Sequence, residues 1–554
     1  MIKHIARIAV SSCILLCALP VKAAPPDAGQ TIRELQQRPD LSEPKSSTPL
    51  QHEEVAAPIA QPQVDVRMMV KSIFVSGNIT IATDELEALL TDLVGSDHTL
   101  GELNQGAARI TAYYHERGYI LSRAYIPPQQ IDDGAVMIKV QEGLIGKQRI
   151  NNQSRLSDQR AIEYLNEIKP GDVLQEAPIE RALLLLNEVP GVGAARATLQ
   201  PGASIGASDI IVELSPSTLY SGNIKADNYG NYYTGQYRLG AELGLSSPLK
   251  IGDLVTLRAL TSDQDLTYGY FAYQVPVGVS GLRVGGTYSG TSYSLGKQLT
   301  SLQSHGSATV GSLFAVYPFI RSQDSNLSGT FTLEDKQLND ADLFNTSDKQ
   351  VKVATFDLIG NHQDTLGGGG ITMFDLALSP GRLSMDATSL LIDELSVHAS
   401  GAFTRIYYNF NRLQRLNDRN ALSLALSGQL SNKNLNSSEQ FSLGGAYGVR
   451  AYPQGEAYGD EGWLSTIELR HSFTLSLQGV MFFDAGSVVY NRIPYLSVSN
   501  TRFLSGGGVG VNSKVFGIDI KADLAVRGSG GQPVSEPANM NHKTRFWLQL
   551  GKQF

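Results

Sequence analysis

Residues 236–245 read Gln236-Tyr-Arg-Leu-Gly-Ala-Glu-Leu-Gly-Leu245 and set the fold of the larger part of this chain. Successive side chains of a strand point to opposite faces. Tyr237, Leu239, Ala241, Leu243 and Leu245 therefore share one face, and Gln236, Arg238, Gly240, Glu242 and Gly244 share the other. Phe516 to Arg527 repeats the pattern, with Phe516, Ile518, Ile520, Ala522, Leu524 and Val526 opposed to Asp519, Lys521, Asp523 and Arg527. Charges this dense on one face require water, and the apolar face then meets lipid, as in a transmembrane β-barrel. A soluble sandwich also alternates, with its apolar face as core. The alternating region runs from Leu219 to Phe554, which is too long for a simple sandwich, and it ends in a strand. In that last strand Phe546, Leu548, Leu550 and Phe554 alternate, and Lys552 reads as an interfacial residue that snorkels. At about 20 residues per strand and connection, the region holds roughly 16 strands, the even number that such barrels need. No segment offers about 18 consecutive apolar residues, so a membrane crossing would be made by a closed barrel.

The formal net charge is -8 and hydrophobic residues make up 42%. The acidic balance argues against nucleic acid as partner, since a phosphate-binding face is basic. The histidines form no His-Glu-x-x-His set or other metal spacing, so no metal site and no cofactor is expected. Gly278-Val-Ser280-Gly281 misses a Gly-x-Ser-x-Gly elbow by one residue, and Gly367 to Gly370 reads as a barrel turn. No residue set supports catalysis, so no enzyme activity is expected.

Within the barrel region, Leu443-Gly-Gly-Ala-Tyr-Gly-Val-Arg-Ala-Tyr-Pro453 forms a Gly-rich loop, followed one strand later by Phe482-Phe483-Asp484-Ala485-Gly486. Met481, Phe483 and Ala485 are apolar enough for lipid, which turns Phe482, Asp484 and Gly486 toward the lumen. Gly486 leaves room for close approach. A guanidinium presents a planar fork to a carboxylate and stays charged, so Arg450 suits a tie to Asp484 better than lysine would. Breaking a buried pair costs about 3–5 kcal/mol, and a wet lumen would reduce that.

The N-terminal third is different. Met1 to about Ala23 reads as a secretory signal peptide: Lys3 and Arg7, an apolar Ile8 to Leu19, then Val21-Lys22-Ala23. Cys13 and Cys17, the only cysteines, lie in it, so the mature chain has no thiol. Residues 24–65 are a Pro-rich linker in which Thr31 to Arg38, with Ile32 and Leu35, has the pattern of a two-turn helix that needs a docking site. From Val66 to Pro216 one β-α-α-β-β order occurs twice, a sign of an internal repeat. The first copy, 66–142, has a strand Met69–Ser76, a helix Asp84–Val94 with Asp84 as cap, a helix Leu103–Arg117 stopped by Gly118, and strands Tyr119–Ile126 and Ala135–Gln141. The second, 143–216, has a strand Leu144–Asn151, helices Ser157–Ile168 and Pro178–Val189, and strands Ala195–Gln200 and Asp209–Leu214. Open sheet edges in such modules accept extended peptides. The alternative is a pair of spacers.

Tyr125-Ile-Pro-Pro-Gln129 and Val140-Gln-Glu-Gly143 in that repeat, the Val449-Arg450-Ala451-Tyr452 tetrad and the Phe482-x-Asp484-x-Gly486 motif together resemble the two-partner-secretion transporters (TpsB, haemolysin-secretion type) of the Omp85 superfamily. The resemblance spans the mature chain. It implies a mostly β protein: two periplasmic POTRA domains ahead of a barrel, 217–554, in the outer membrane of a Gram-negative bacterium. It places Arg450 at the tip of extracellular loop six, folded back onto Asp484, with Ile32 and Leu35 on a helix that plugs the pore. It makes the Phe546–Phe554 pattern a signal read by the barrel assembly machinery. The implied partners are outer-membrane lipids and one large secreted protein, an adhesin or cytolysin with a β-helical body, exported by a monomer. An assembly factor of the same superfamily and a passive porin are the alternatives.

Overall fold

The computed structural model describes residues 25–36, 50–52, 66–131 and 133–554. The signal peptide, most of the linker and the last two residues of the expected helix, Gln37 and Arg38, lie outside the described residues.

The first β-α-α-β-β copy builds a three-stranded sheet in the order Ser72–Ser76, Ala135–Gln141, Arg123–Tyr125. The first pair is parallel and the second antiparallel. Ile73, Val75, Val136, Ile138 and Val140 point from it onto Leu86, Leu103, Ile110 and Tyr114 of the helices. Local reading errs here in four places, and one is the strand expected over Tyr119–Ile126, which is only Arg123–Tyr125. The expected strand from Met69 is two strands, because Arg67–Val70 pairs with Ser96–Thr99 instead of joining the sheet. The first helix is only Thr83–Ala88, followed by a 3-10 turn at Thr91–Leu93. Asp84 is inside that helix, not its cap, and the Glu87 carboxylate accepts the Val75 N–H at 3.2 Å. The second helix starts earlier than expected, at Leu100, where Thr99 and Glu102 form a reciprocal capping box. It stops at Gly118, whose φ of +82° suits glycine.

Glu142 of the quoted Val140–Gly143 motif is buried and clamps this module. Its carboxylate accepts the Ile79 and Thr80 N–H groups at 2.8 Å, the Thr80 hydroxyl at 3.0 Å and the Tyr114 hydroxyl at 2.8 Å. Burial pushes its pKa up, but these hydrogen bonds to the anion outweigh burial and hold it below the usual value.

The second copy orders its strands Leu144–Asn152, Ala207–Leu214, Ala195–Pro201. Of its helices, Asp158–Glu163 stops well short of the expected end at Ile168, and Glu176–Glu188 is shifted slightly from the expected Pro178–Val189; Ser157 precedes the first without a side-chain cap bond. On the outer edge the linker backbone adds a strand: Leu50–His52 runs parallel to Ala197–Leu199. This copy rests on the barrel's near-end turns. Glu180 accepts the Gln323 N–H at 2.9 Å, and Arg181 donates to the Pro318 carbonyl at 3.0 Å.

Sixteen antiparallel strands form a closed barrel, from Tyr220–Asp227 to Thr544–Gln553, and these two pair with each other. Each strand pairs with its neighbours in sequence, but the connection from Asn420–Ser431 to Glu461–Thr474 is the long loop 432–460. Phe554 lies beyond the last strand's span, yet it exchanges backbone hydrogen bonds with Gly222 at 3.0 Å and extends the closing ladder. Outward positions such as Tyr237, Leu239, Met481 and Phe483 are exposed and apolar. Phe516 departs from the expected strand. With Gly517 it forms the hairpin turn, both residues at positive φ, and the strand starts at Ile518. Gly367 lies in the tight turn between Thr346–Asp364 and Gly370–Met385, as read from sequence. Among the described residues no helix is long and apolar enough to cross a membrane.

Candidate functional site

Loop 432–460 does not extend away from the barrel but folds into its lumen. It is a small structure of its own: Phe441–Ser442 pairs with Tyr458–Gly459, and the Val449 N–H donates to the Leu443 carbonyl at 2.8 Å to close the tip. Val449, Ala451 and Tyr452 are buried. Arg450 Nη2 and Nε donate to the two carboxylate oxygens of Asp484 at 2.8 and 2.9 Å, the bidentate geometry that a guanidinium allows. The Arg450 N–H adds a third bond to Asp484 at 3.1 Å. Nη1 donates to Glu468 at 2.9 Å, and the guanidinium lies 3.4 Å from the centre of the Phe482 ring. Trp547 closes the other side, its indole N–H donating to the Arg450 carbonyl at 2.7 Å.

The lumen is not wet at this point, which corrects the expectation of a weakened pair: Arg450 is 5% exposed and Asp484 0%. Two carboxylates and an aromatic face surround one cation, and the Thr466 hydroxyl donates to Asp484 at 3.1 Å, so charge is compensated where water is excluded. Phe482 and Asp484 point inward and Met481 and Phe483 outward, as strand parity requires. A side chain at Gly486 would run into the Leu443 side chain, and one at Gly506 into Ala451. The wall is thus glycine where the loop touches it. Tyr452 reaches further, its hydroxyl donating to the carbonyls of Ser529 and Gly531 at 3.1 Å.

The helix in the linker is Ala28–Leu35, capped by Asp27, whose carboxylate accepts the Gln30 N–H at 2.7 Å. It also lies in the lumen. Ile32 is fully buried and Leu35 partly, against Leu266, Tyr293, Ala308, Leu338, Phe403 and Leu435. Its other side meets loop 432–460. Ser437 Oγ donates to both Asp27 oxygens at 2.8 and 2.7 Å, and the Tyr458 hydroxyl donates to Glu34. The Ala28 N–H donates to Asp340 of the wall at 2.8 Å.

Two further charged anchors hold the loop. Glu439 accepts Lys336 Nζ at 2.8 Å and Arg405 Nε at 3.0 Å, all three buried. Glu456 pairs with Arg502 and accepts the Ser535 hydroxyl at 2.8 Å and the Val534 N–H at 3.0 Å. Sequence reading gave no role to Glu439, Glu456, Glu468 or Trp547. Trp547 and Glu468 had a signal: alternation with Phe546 and Leu548, and with Ile467 and Leu469, turns them inward. Of the terminal residues, Phe546, Leu550 and Phe554 are exposed on the outer face and Leu548 is partly covered.

The model of the haemolysin secretion/activation protein family ShlB/FhaC/HecB matches residues 206–513, more than half of the chain. The chain belongs to this family. A second model, the ShlB-type POTRA domain, matches residues 68–143, the first β-α-α-β-β copy. The heme/hemopexin transporter protein HuxB of Haemophilus influenzae is 28% identical, with 99% of this chain and 98% of HuxB aligned. The hemolysin transporter protein ShlB of Serratia marcescens is 26% identical, over 76% of this chain and 75% of ShlB. The solved structure of CdiB from Escherichia coli has the same fold, with a TM-score of 0.72 at 20% identity over 95% of this chain and 96% of CdiB. The protein is accordingly a two-partner-secretion transporter of the Omp85 superfamily, an outer-membrane β-barrel with a POTRA region ahead of it.

Proposed function

We propose that this transporter captures one large, unfolded partner protein in the periplasm and exports it through the barrel to the cell surface. It works as a conduit, a monomer without cofactor or catalytic chemistry. The two β-α-α-β-β copies, in the periplasm, take an extended segment of the partner. The single observation that carries the reading is the helix Ala28–Leu35 lying inside the lumen. A barrel occupied by a removable segment of its own chain is organised for regulated passage, whereas a passive porin needs no such obstruction. The added strand Leu50–His52 supports peptide capture, since the second copy's edge accepts an extended backbone. Relatives named for heme/hemopexin and for hemolysin differ in cargo at 26–28% identity. The partner's class here is therefore put only as a large secreted protein with a β-helical body, an adhesin or a cytolysin.

In this reading Arg450 and Asp484 hold loop six against the wall so that the channel keeps its shape. Partner binding releases the helix around Ile32 and Leu35, and Phe546 to Phe554 is the strand that the barrel assembly machinery reads. The test is secretion. This chain is co-expressed with the large exported protein encoded beside it, and the medium is assayed at equal barrel levels. Export by the wild type supports the reading. A folded barrel that exports nothing refutes it for that partner and favours an assembly factor.

A further inference from the structure

We infer that the helix Ala28–Leu35 is seated on loop six through Gly29, and that Glu439 is the positioning residue that fixes this seat independently of Arg450. The inference rests on the proposed role of the helix as a removable plug.

Gly29 is buried at the point where the helix crosses the turn Ser437–Glu439. A methyl group there would overlap Ser437 Oγ and lie 2.7 Å from the Ser438 backbone nitrogen. The absence of a side chain is thus what lets the helix approach. The same turn supplies Ser437 Oγ to both oxygens of Asp27, the helix cap, and Asn436 Oδ1 accepts the Ser438 N–H at 3.1 Å to shape it. The turn itself is pinned one residue on. The Glu439 carboxylate lies between Lys336 and Arg405, on strands Ser325–Ala341 and Gly401–Arg415, and its carbonyl accepts Gln429 Nε2 at 2.8 Å. Ser325–Ala341 also carries Asp340, which receives the helix's first N–H. Seat and wall therefore meet the helix as one surface.

Arg450 is tied to Asp484 and Glu468, on strands Leu477–Val489 and Glu461–Thr474. The two ion clusters share no residue and no strand. Release of the helix breaks the Asp27 and Glu34 hydrogen bonds and takes Arg33 of the helix out of the field of Glu439, while the wall partners of both clusters stay in place. The seat stays in the channel, able to take the helix back after export.

The test uses the full chain in planar lipid bilayers, recording the fraction of time in the open, high-conductance state. Gly29→Ala touches nothing in the barrel strands, and alanine is the better helix former, so a weakened helix is not the cause of any effect. Its expected result is an open fraction at least fivefold above wild type. Glu439→Gln raises the open fraction by a similar factor while the Arg450 tip stays protected from trypsin. An unchanged open fraction in Gly29→Ala overturns the seat. Trypsin cutting at Arg450 in Glu439→Gln overturns the independence of the two clusters. Deleting residues 25–36 separates the readings. If deletion opens the channel and Gly29→Ala does not, the seat alone fails. If deletion changes nothing, the plug reading fails and the seat with it.

Discussion

The tip of loop six and the helix Ala28–Leu35 occupy the same lumen but are held by different kinds of contact. Arg450 has a bidentate carboxylate, a second acid, an aromatic face and an indole over its carbonyl, all dry. Removing one partner strands a buried charge, which costs about 3–5 kcal/mol. The helix has one short apolar face and a few hydrogen bonds, from Ser437, Tyr458 and its first N–H to Asp340. Each such bond is worth about 0.5–1.5 kcal/mol net, since water replaces it on release. A helix this short gains little from its own backbone either. One element is built to stay and the other to leave, and the difference lies in how buried charge is held: Arg450 by a bidentate carboxylate and a second acid, Glu34 by the Tyr458 hydroxyl.

The largest expected effect comes from breaking the element that stays. Arg450→Ala leaves Asp484 buried and uncompensated, and export to the medium is predicted to fall at least tenfold at equal barrel levels. Arg450→Lys keeps the charge but loses the fork, so its export falls between the two. If lysine and alanine behaved alike, the fork and not the charge would be the essential feature.

Removing the element that leaves has the opposite sign. Deletion of residues 25–36 is predicted to raise bilayer conductance several-fold and to retain export. Loss of export in that variant would mean that the helix also delivers the partner.

A smaller effect sharpens the contrast through pH. Burial raises the pKa of Glu34, against the opposing Tyr458 hydrogen bond and the Arg238 charge. The seated helix therefore binds a proton more tightly than the released one. Seating is unpenalised below the ordinary carboxyl range and weakens as pH climbs above it. The open fraction is predicted to rise about two- to threefold from pH 5 to pH 8, and Glu34→Gln to flatten that dependence. A flat wild-type profile would remove Glu34 from the release step.

The smallest effect lies outside the barrel. Glu142→Gln keeps the shape of the clamp but loses its charge, with an expected cost of about 1–3 kcal/mol to the first module in urea unfolding. Its folded pKa is lowered. The contribution is thus present above the unfolded carboxyl value and lost as pH falls through the folded one. Stability that did not drop in acid would show the clamp to be ordinary packing.

Much of this was legible beforehand, for reasons that the residues make plain. Alternation from Met481 to Gly486 is fixed by strand geometry, so the inward turn of Asp484 followed from parity. Alternation also gave the last strand its outward face, while the number of sixteen strands came from the length of the region. It failed at Phe516, an apolar residue in register with its neighbours, because a two-residue turn at positive φ claimed it. Asp84 has the composition of a cap, but the helix begins ahead of it at Thr83. Glu439 could not be read at all. Its partners Lys336 and Arg405 are 103 and 34 residues away, and only barrel closure brings those strands to the loop. Local rules find what spacing determines, and the seat of the helix is determined by closure.

The most direct test of the central contrast is a lock on the helix. Ser437 Oγ faces both carboxylate oxygens of Asp27 at 2.8 and 2.7 Å, so the two side chains meet end to end. Asp27→Cys with Ser437→Cys puts two thiols at this contact, and the described residues hold no other cysteine, Cys13 and Cys17 lying in the segment expected to be a signal peptide. Secretion is measured with the pair oxidised to a disulfide and then reduced. Export absent when oxidised and restored by reductant is the predicted result. Wild-type export through the oxidised transporter would contradict it, because the helix would then never need to leave.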